Sequence, residues 1–181
     1  MMEILTIKSV SDIPQPYRGT PIGRLIEYHN LDRALDPHTQ AALLIGMCMD
    51  NRKHLRIPDN FAYIIRAGGA NLRYSEFKVS FAIAIGGVQH IALIGHTNCG
   101  MVNLASKREQ FIEGLMTRAG WDRETAVDHF QNLAPMFEIG NEVDFLLGEV
   151  KRLRNRYPRV TVAPMLYKVE DNKLYFVKEG D

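Results

Sequence analysis

The chain has two cysteines, one tryptophan, almost no net charge and no long apolar run, and each shortage removes a class of function. Two cysteines are too few for the disulfide framework of a small secreted domain, and no C-x-x-C exists to form a dithiol redox motif. Lys and Arg number 22 against 21 Asp and Glu, and a formal charge of +1 offers no footing for nucleic acid or an acidic membrane surface. No segment reaches the roughly 18 consecutive apolar residues of a membrane span. Nor does a basic region followed by an apolar signal core open the chain, so a cytoplasmic location is expected. No G-x-G-x-x-G follows an apolar run, and H-x-E with P-C-x-x-C is missing, which argues against dinucleotide dehydrogenases and zinc deaminases.

What is present is the balance of an ordinary globular domain: 181 residues, 46% hydrophobic and 24% charged. Pro14, Pro16, Pro21, Gly19 and Gly23 mark residues 1–21 as an extended N-terminal arm, outside the packed core and suited to wrapping a partner subunit. Residues 22–181 are expected to form a single α/β domain. A short helix is predicted from Ile22 to Asn30. The runs 41–47, 61–65 and 90–95 are continuously apolar, as expected of parallel strands buried on both faces. Between the last two, Phe77, Phe81, Ala84, Ile85 and Val88 form one stripe of a predicted helix over 74–88. Residues 107–140 read as irregularly helical, with a cap at Asp122. A clearer helix is capped by Asn141 and stopped by Pro158, and two strands, 160–169 and 174–177, end the chain. Strand, helix, strand implies a right-handed crossover and parallel neighbours, with functional residues at the strands' carboxyl ends.

Both cysteines sit there, in polar clusters. Cys48 opens Cys48-Met49-Asp50-Asn51-Arg52 and Cys99 closes Gly95-His96-Thr97-Asn98-Cys99. Two thiolates and an imidazole are a soft three-ligand set of the kind catalytic zinc uses, leaving a fourth position for water or for the Asp50 carboxylate. Alternation after a strand end puts Asp50 and Arg52 on one side, where the guanidinium can hold the carboxylate in a forked hydrogen bond. His54 and His90 are possible proton carriers, with an exposed or packing role the more ordinary reading for each.

C-x-D-x-R followed by H-x-x-C-G resembles the β-class carbonic anhydrases, in the branch that includes archaeal-type members and carbonyl sulfide hydrolases. The resemblance implies a mixed sheet, parallel at its centre, flanked by helices, with a dimer as the smallest functional unit and a homodimer or homotetramer as the assembly. It implies that Cys48, His96 and Cys99 bind Zn2+ and that Asp50 and Arg52 form the catalytic pair for reversible hydration of CO2 to bicarbonate. Hydrolysis of carbonyl sulfide or carbon disulfide is the alternative on the same residues, and a silent zinc-binding homologue a third. Arg52 speaks against the last, because a closed structural site needs no partner competing for its fourth ligand. The family's Asn-Ala-Gly is Ala67-Gly68-Gly69 here, its Asp before the second cysteine is Asn98, and its terminal Tyr-Asp is Tyr167-Lys168.

Overall fold

A computed structural model describes residues 3–178. Among them six strands form one sheet in the order β1-β6-β5-β4-β2-β3. The strands are β1 (Ile4–Leu5), β2 (Leu43–Met47), β3 (Ala62–Arg66), β4 (His90–His96), β5 (Thr161–Lys168) and β6 (Lys173–Val177). β3, β2, β4 and β5 run parallel, whereas β6 and β1 close one side antiparallel. The helices are α1 (Pro21–Leu31), α2 (Glu76–Ala84), α3 (Arg108–Ala119), α4 (Arg123–Phe137) and α5 (Glu142–Arg156).

The period of two along each central strand builds two apolar layers. Ile45, Met47, Ala92, Ile94, Met165 and Tyr167 face α1 with its Ile22, Leu25 and Ile26. Leu44, Ile91, Leu93, Val162 and Leu166 face α2 and α5 through Val79, Leu146, Val150 and Leu153. Covering both faces explains why these strands read as unbroken apolar runs. Helix ends follow the expected chemistry. Asp122 Oδ1 accepts the Thr125 N–H at 2.8 Å and Asn141 Oδ1 accepts those of Val143 and Asp144 at 2.9 and 3.0 Å.

Three expectations change. The stretch expected as an arm outside the core contributes Ile7 and Ile13 to it, and its Ile4–Leu5 pairs with β6. Its prolines shape short turns that lay those residues against α1 and the sheet. β3, expected to be buried on both faces, is the free edge, with Tyr63 39% and Ile64 48% exposed. Finally, the apolar stripe of α2 faces outward: Phe77 is 83%, Phe81 49% and Ile85 72% exposed, while Val79 and Ala82 are buried. Glu76 pairs with Arg152 at 2.7 Å and Arg156 at 2.9 Å on α5, and the small residues of α2 pack toward the sheet.

Candidate metal centre and its surroundings

β2 and β4 are adjacent and parallel, so their carboxyl ends deliver Cys48 and His96 to one place, and the turn after β4 returns Cys99 to the same place. The donor atoms of Cys48, His96 and Cys99 lie within 4.8 Å of one another, and all three residues are buried. The two sulfurs are 4.0 Å apart and form no disulfide. Sulfurs each about 2.3 Å from a tetrahedral metal would be about 3.8 Å apart.

His96 carries the fit further. Its Nδ1 bonds the Thr97 carbonyl at 2.9 Å, which places the proton there and leaves a lone pair on Nε2. That Nε2 is buried and has no hydrogen-bond partner among the described residues. A buried acceptor beside two sulfurs is the donor set that a metal ion needs.

The thiols are electrostatically unequal. Cys48 is pushed well below its ordinary pKa, first by the hydrogen bond from Cys99, with help from backbone N–H groups. Cys99 is pushed up by the Cys48 sulfur and by burial. The Gly69 N–H donates to Cys48 Sγ at 3.3 Å, and the Cys99 N–H donates to Glu142 Oε1 at 3.0 Å, tying the ligand loops to the loop after β3 and to α5. Gly69 has φ +63, and Ala70 after it has φ +60, so this loop is held in a tight left-handed bend.

Asp50 and Arg52 meet as expected. Arg52 Nε donates to Asp50 Oδ1 at 3.0 Å and Nη2 to Oδ2 at 2.8 Å, and the Arg52 N–H adds 2.9 Å to Oδ1. This fork holds the Asp50 carboxyl well below the usual carboxylate range. Asp50 Oδ2 stands 3.9 Å from His96 Nε2, so the carboxylate borders the metal group while bonded to the guanidinium. Arg52 Nη2 also donates to the Asn98 carbonyl at 2.7 Å, which links the two cysteine motifs. His90 begins the strand that His96 ends, about 20 Å away at 3.3 Å per residue, too far to carry a proton from the centre.

Two neighbours escaped the sequence reading. Lys53, directly after Arg52, is buried, its Nζ has no hydrogen-bond partner among the described residues, and burial pushes its pKa down against the opposing pull of Cys48 and Asp50. Glu170, in the turn between β5 and β6, accepts from Thr97 Oγ1 at 2.7 Å and from Asn98 Nδ2 at 2.8 Å, clamping the loop between His96 and Cys99. Asn98 in place of an acid is what permits that second bond. A lysine beside C-x-D-x-R reads as an ordinary exposed cation in the sequence, and nothing there points to Glu170.

A parallel-centred sheet bearing a buried Cys-His-Cys group at its strand ends defines an α/β metal-site protein. The carbonic anhydrase family model matches residues 60–172, and the chain belongs to the β-carbonic anhydrase family. That match starts beyond Cys48, Asp50 and Arg52, so the first motif joins the second through the fold. Among solved structures, the β-carbonic anhydrase isoform I of Trichomonas vaginalis is 18% identical with a TM-score of 0.64, covering 85% of this chain and 92% of that one. A carbonic anhydrase of Streptococcus mutans is also 18% identical, with a TM-score of 0.61 over 96% and 100% of the two chains. A carbon disulfide hydrolase is 21% identical, with a TM-score of 0.54 over 76% and 78%. No curated protein matches. β-Carbonic anhydrases use zinc, and Cys48, His96 and Cys99 are the group here that can hold it. No helix among the described residues is long and apolar enough to cross a membrane.

Proposed function

We propose that the chain hydrates CO2 reversibly, CO2 + H2O giving HCO3− and H+, at a zinc ion held by Cys48, His96 and Cys99, with Asp50 and Arg52 as the catalytic pair. The observation that carries this reading is Asp50. Its carboxylate borders the metal group yet is taken up by the Arg52 fork, leaving the fourth metal position to water. A bound zinc ion supplies the Lewis acidity that makes water a nucleophile near neutral pH.

The remaining work belongs to side chains. His96 presents Nε2 because Thr97 holds the opposite nitrogen. Asp50, kept ionised by Arg52, accepts a hydrogen bond from the attacking water and so turns the free lone pair of the water oxygen toward the CO2 carbon. Arg52 fixes the carboxylate plane and, through the Asn98 carbonyl, its distance from the second ligand loop. Product leaves as an anion and the proton passes to buffer.

Hydrolysis of carbonyl sulfide or carbon disulfide is the second reading. An apolar chamber beside the ligand loops favours it, and the carbon disulfide hydrolase shares this fold.

The working unit is a homo-oligomer in which a second copy covers the outward face of α2 and β3. A groove of about 310 Å³ there is lined by Tyr63, Ile64, Phe77 and Phe81, beside an edge strand with unpaired backbone groups. Such an edge and apolar face are matched by the same surface related by a two-fold axis.

Zinc quantification with a CO2 hydration assay, run beside Asp50→Ala and repeated on carbonyl sulfide, tests the catalytic reading. One zinc per chain is expected, with turnover lost about 100-fold or more in the variant at unchanged zinc content. Full zinc occupancy without turnover on either substrate would refute it in favour of a silent zinc-binding protein.

A further inference from the structure

The turn between β5 and β6 is tied to both motifs that meet at the metal group. The Tyr167 hydroxyl accepts the His54 N–H at 2.9 Å and donates to Asn172 Oδ1 at 2.8 Å, which fastens the loop after Arg52 to the turn. The Thr97 N–H donates to the Tyr167 carbonyl at 3.1 Å and the Val169 N–H donates to Thr97 Oγ1 at 3.0 Å, which fastens the loop after His96 to the same turn. Glu170 completes the second connection by accepting from Thr97 Oγ1 and Asn98 Nδ2. The Thr97 bond, foremost, pushes its carboxyl below the ordinary value, so both bonds end on an ionised acceptor.

Arg52 stands where the two connections converge. Its Nε and Nη2 hold Asp50 of the first motif, and Nη2 also donates to the Asn98 carbonyl of the second. Asn98 therefore has its side chain on Glu170 and its backbone on Arg52. It sits at φ +57, in neither helix nor strand, so these bonds are what locate it. A shift at Glu170 moves the Asn98 carbonyl, and Arg52 must follow or lose that bond.

The direction of the bonds restricts which residues can serve. An ionised carboxylate only accepts, so Glu170 requires a donor at position 98, and the asparagine amide supplies it. An aspartate there would tolerate the same left-handed backbone but would set two carboxylates against each other across a 2.8 Å contact. A glutamine at position 170 could accept from Thr97 through its carbonyl and donate through its amide to that aspartate. Positions 98 and 170 can thus be exchanged together and not singly. Asn98 and Glu170 are both exposed, so their bond adds little to overall stability and its effect falls on local geometry.

We propose that Glu170 is a positioning residue whose hold on Asn98 sets where Arg52 stands, and thereby how Asp50 is presented beside the metal group. The catalytic consequence rests on the reading of Asp50 and Arg52 given above. The effect on Arg52 itself does not.

Zinc-loaded unaltered chain is compared with Asn98→Asp, with Glu170→Gln and with the two substitutions combined. CO2 hydration constants and the hydrogen-exchange rate of the Arg52 Nε–H are measured for each, with the NMR signal assigned by its loss in Arg52→Lys. Asn98→Asp should lower kcat about tenfold while KM changes less than about twofold, because a displaced Arg52 misaligns the attacking group without altering capture of a neutral substrate. Glu170→Gln alone, which loses one of two acceptors, should lower kcat about threefold. The combined variant should return to within about twofold of the unaltered chain. Exchange of the Arg52 Nε–H should quicken in each single variant and slow again in the combined one. Melting temperatures should agree within about 4 °C, which separates misplacement of Arg52 from unfolding. Losses that multiply in the combined variant, or an Arg52 Nε–H that exchanges equally in all four proteins, would overturn the proposal. An unaltered chain that turns over neither CO2 nor carbonyl sulfide would refute the catalytic reading alone, and an Arg52 signal restored in the combined variant would still support the positioning by Glu170.

Discussion

Replacing Gly69 by alanine measures how firmly the loop after β3 is bound to the metal-binding cysteines, and Gly87→Ala supplies its control. Both glycines have left-handed backbones, φ +63 and φ +69. A Cβ at Gly87 meets nothing within 4 Å, so that variant carries backbone strain alone. The strain costs about 1–2 kcal/mol, and at about 2–4 °C per kcal/mol for a chain of this size the melting temperature falls about 2–8 °C. At Gly69 the same methyl comes 3.0 and 3.2 Å from Ile139 Cγ2 and Cδ1, and 3.6 Å from Met101 Cβ. Ile139 is 2% exposed and cannot swing away, so overpacking adds about 1–3 kcal/mol. The entropy alanine removes from the unfolded chain is common to both variants and cancels in their difference. Displacing the loop also weakens the Gly69 N–H bond to Cys48 Sγ, a bond to a charged group worth about 1.5–3 kcal/mol, so zinc affinity falls about tenfold or more. Thermal scans of metal-free protein and competition against a chelator of known affinity read the two effects separately. Equal melting shifts for both variants, or unchanged zinc affinity in Gly69→Ala, would refute the reasoning.

His29 makes stability depend on pH. It is buried, its Nδ1 accepts the Arg56 N–H at 3.1 Å, its Nε2 bonds the Asn172 carbonyl at 3.0 Å, and burial pushes its pKa below the ordinary value. The unfolded chain therefore takes up the proton more readily, so this stabilisation is complete above about pH 6.5 and is lost as pH falls below it. Urea midpoints should drop between pH 8 and pH 5, with a shallower slope in His29→Gln; an identical slope would reject the assignment. At the outward face of α2, Phe77→Glu combined with Phe81→Glu should shift sedimentation toward the monomer while far-UV circular dichroism stays unchanged. An unaltered mass would move the interface elsewhere.

The metal group was legible because its residues are marked by type and by position at strand ends. Cys48, His96 and Cys99 stand where apolar runs stop, and Asp50 and Arg52 follow the first cysteine at alternate positions. The strands were legible because a strand covered on both faces must be apolar throughout. Where the apolar residues of α2 would point was not legible. That helix has apolar residues on more than one side, and its rotation depends on contacts with α5 such as Glu76 with Arg152 and Arg156, some 76 to 80 positions away in sequence. The same holds for β3, whose place at the sheet's edge depends on the order in which strands pair.

By itself, then, the sequence determined a three-donor metal group with a carboxylate–guanidinium pair attached, together with the helices and strands that carry them, since these rest on residue type and short-range periodicity. Only the tertiary structure decided that Glu170 clamps the ligand loop, that Lys53 is enclosed beside the cysteines, that Ile7 and Ile13 belong to the core, and that an apolar chamber adjoins Met101. Those features arise from contacts between segments distant in the chain, and neither composition nor spacing encodes which distant surfaces will meet.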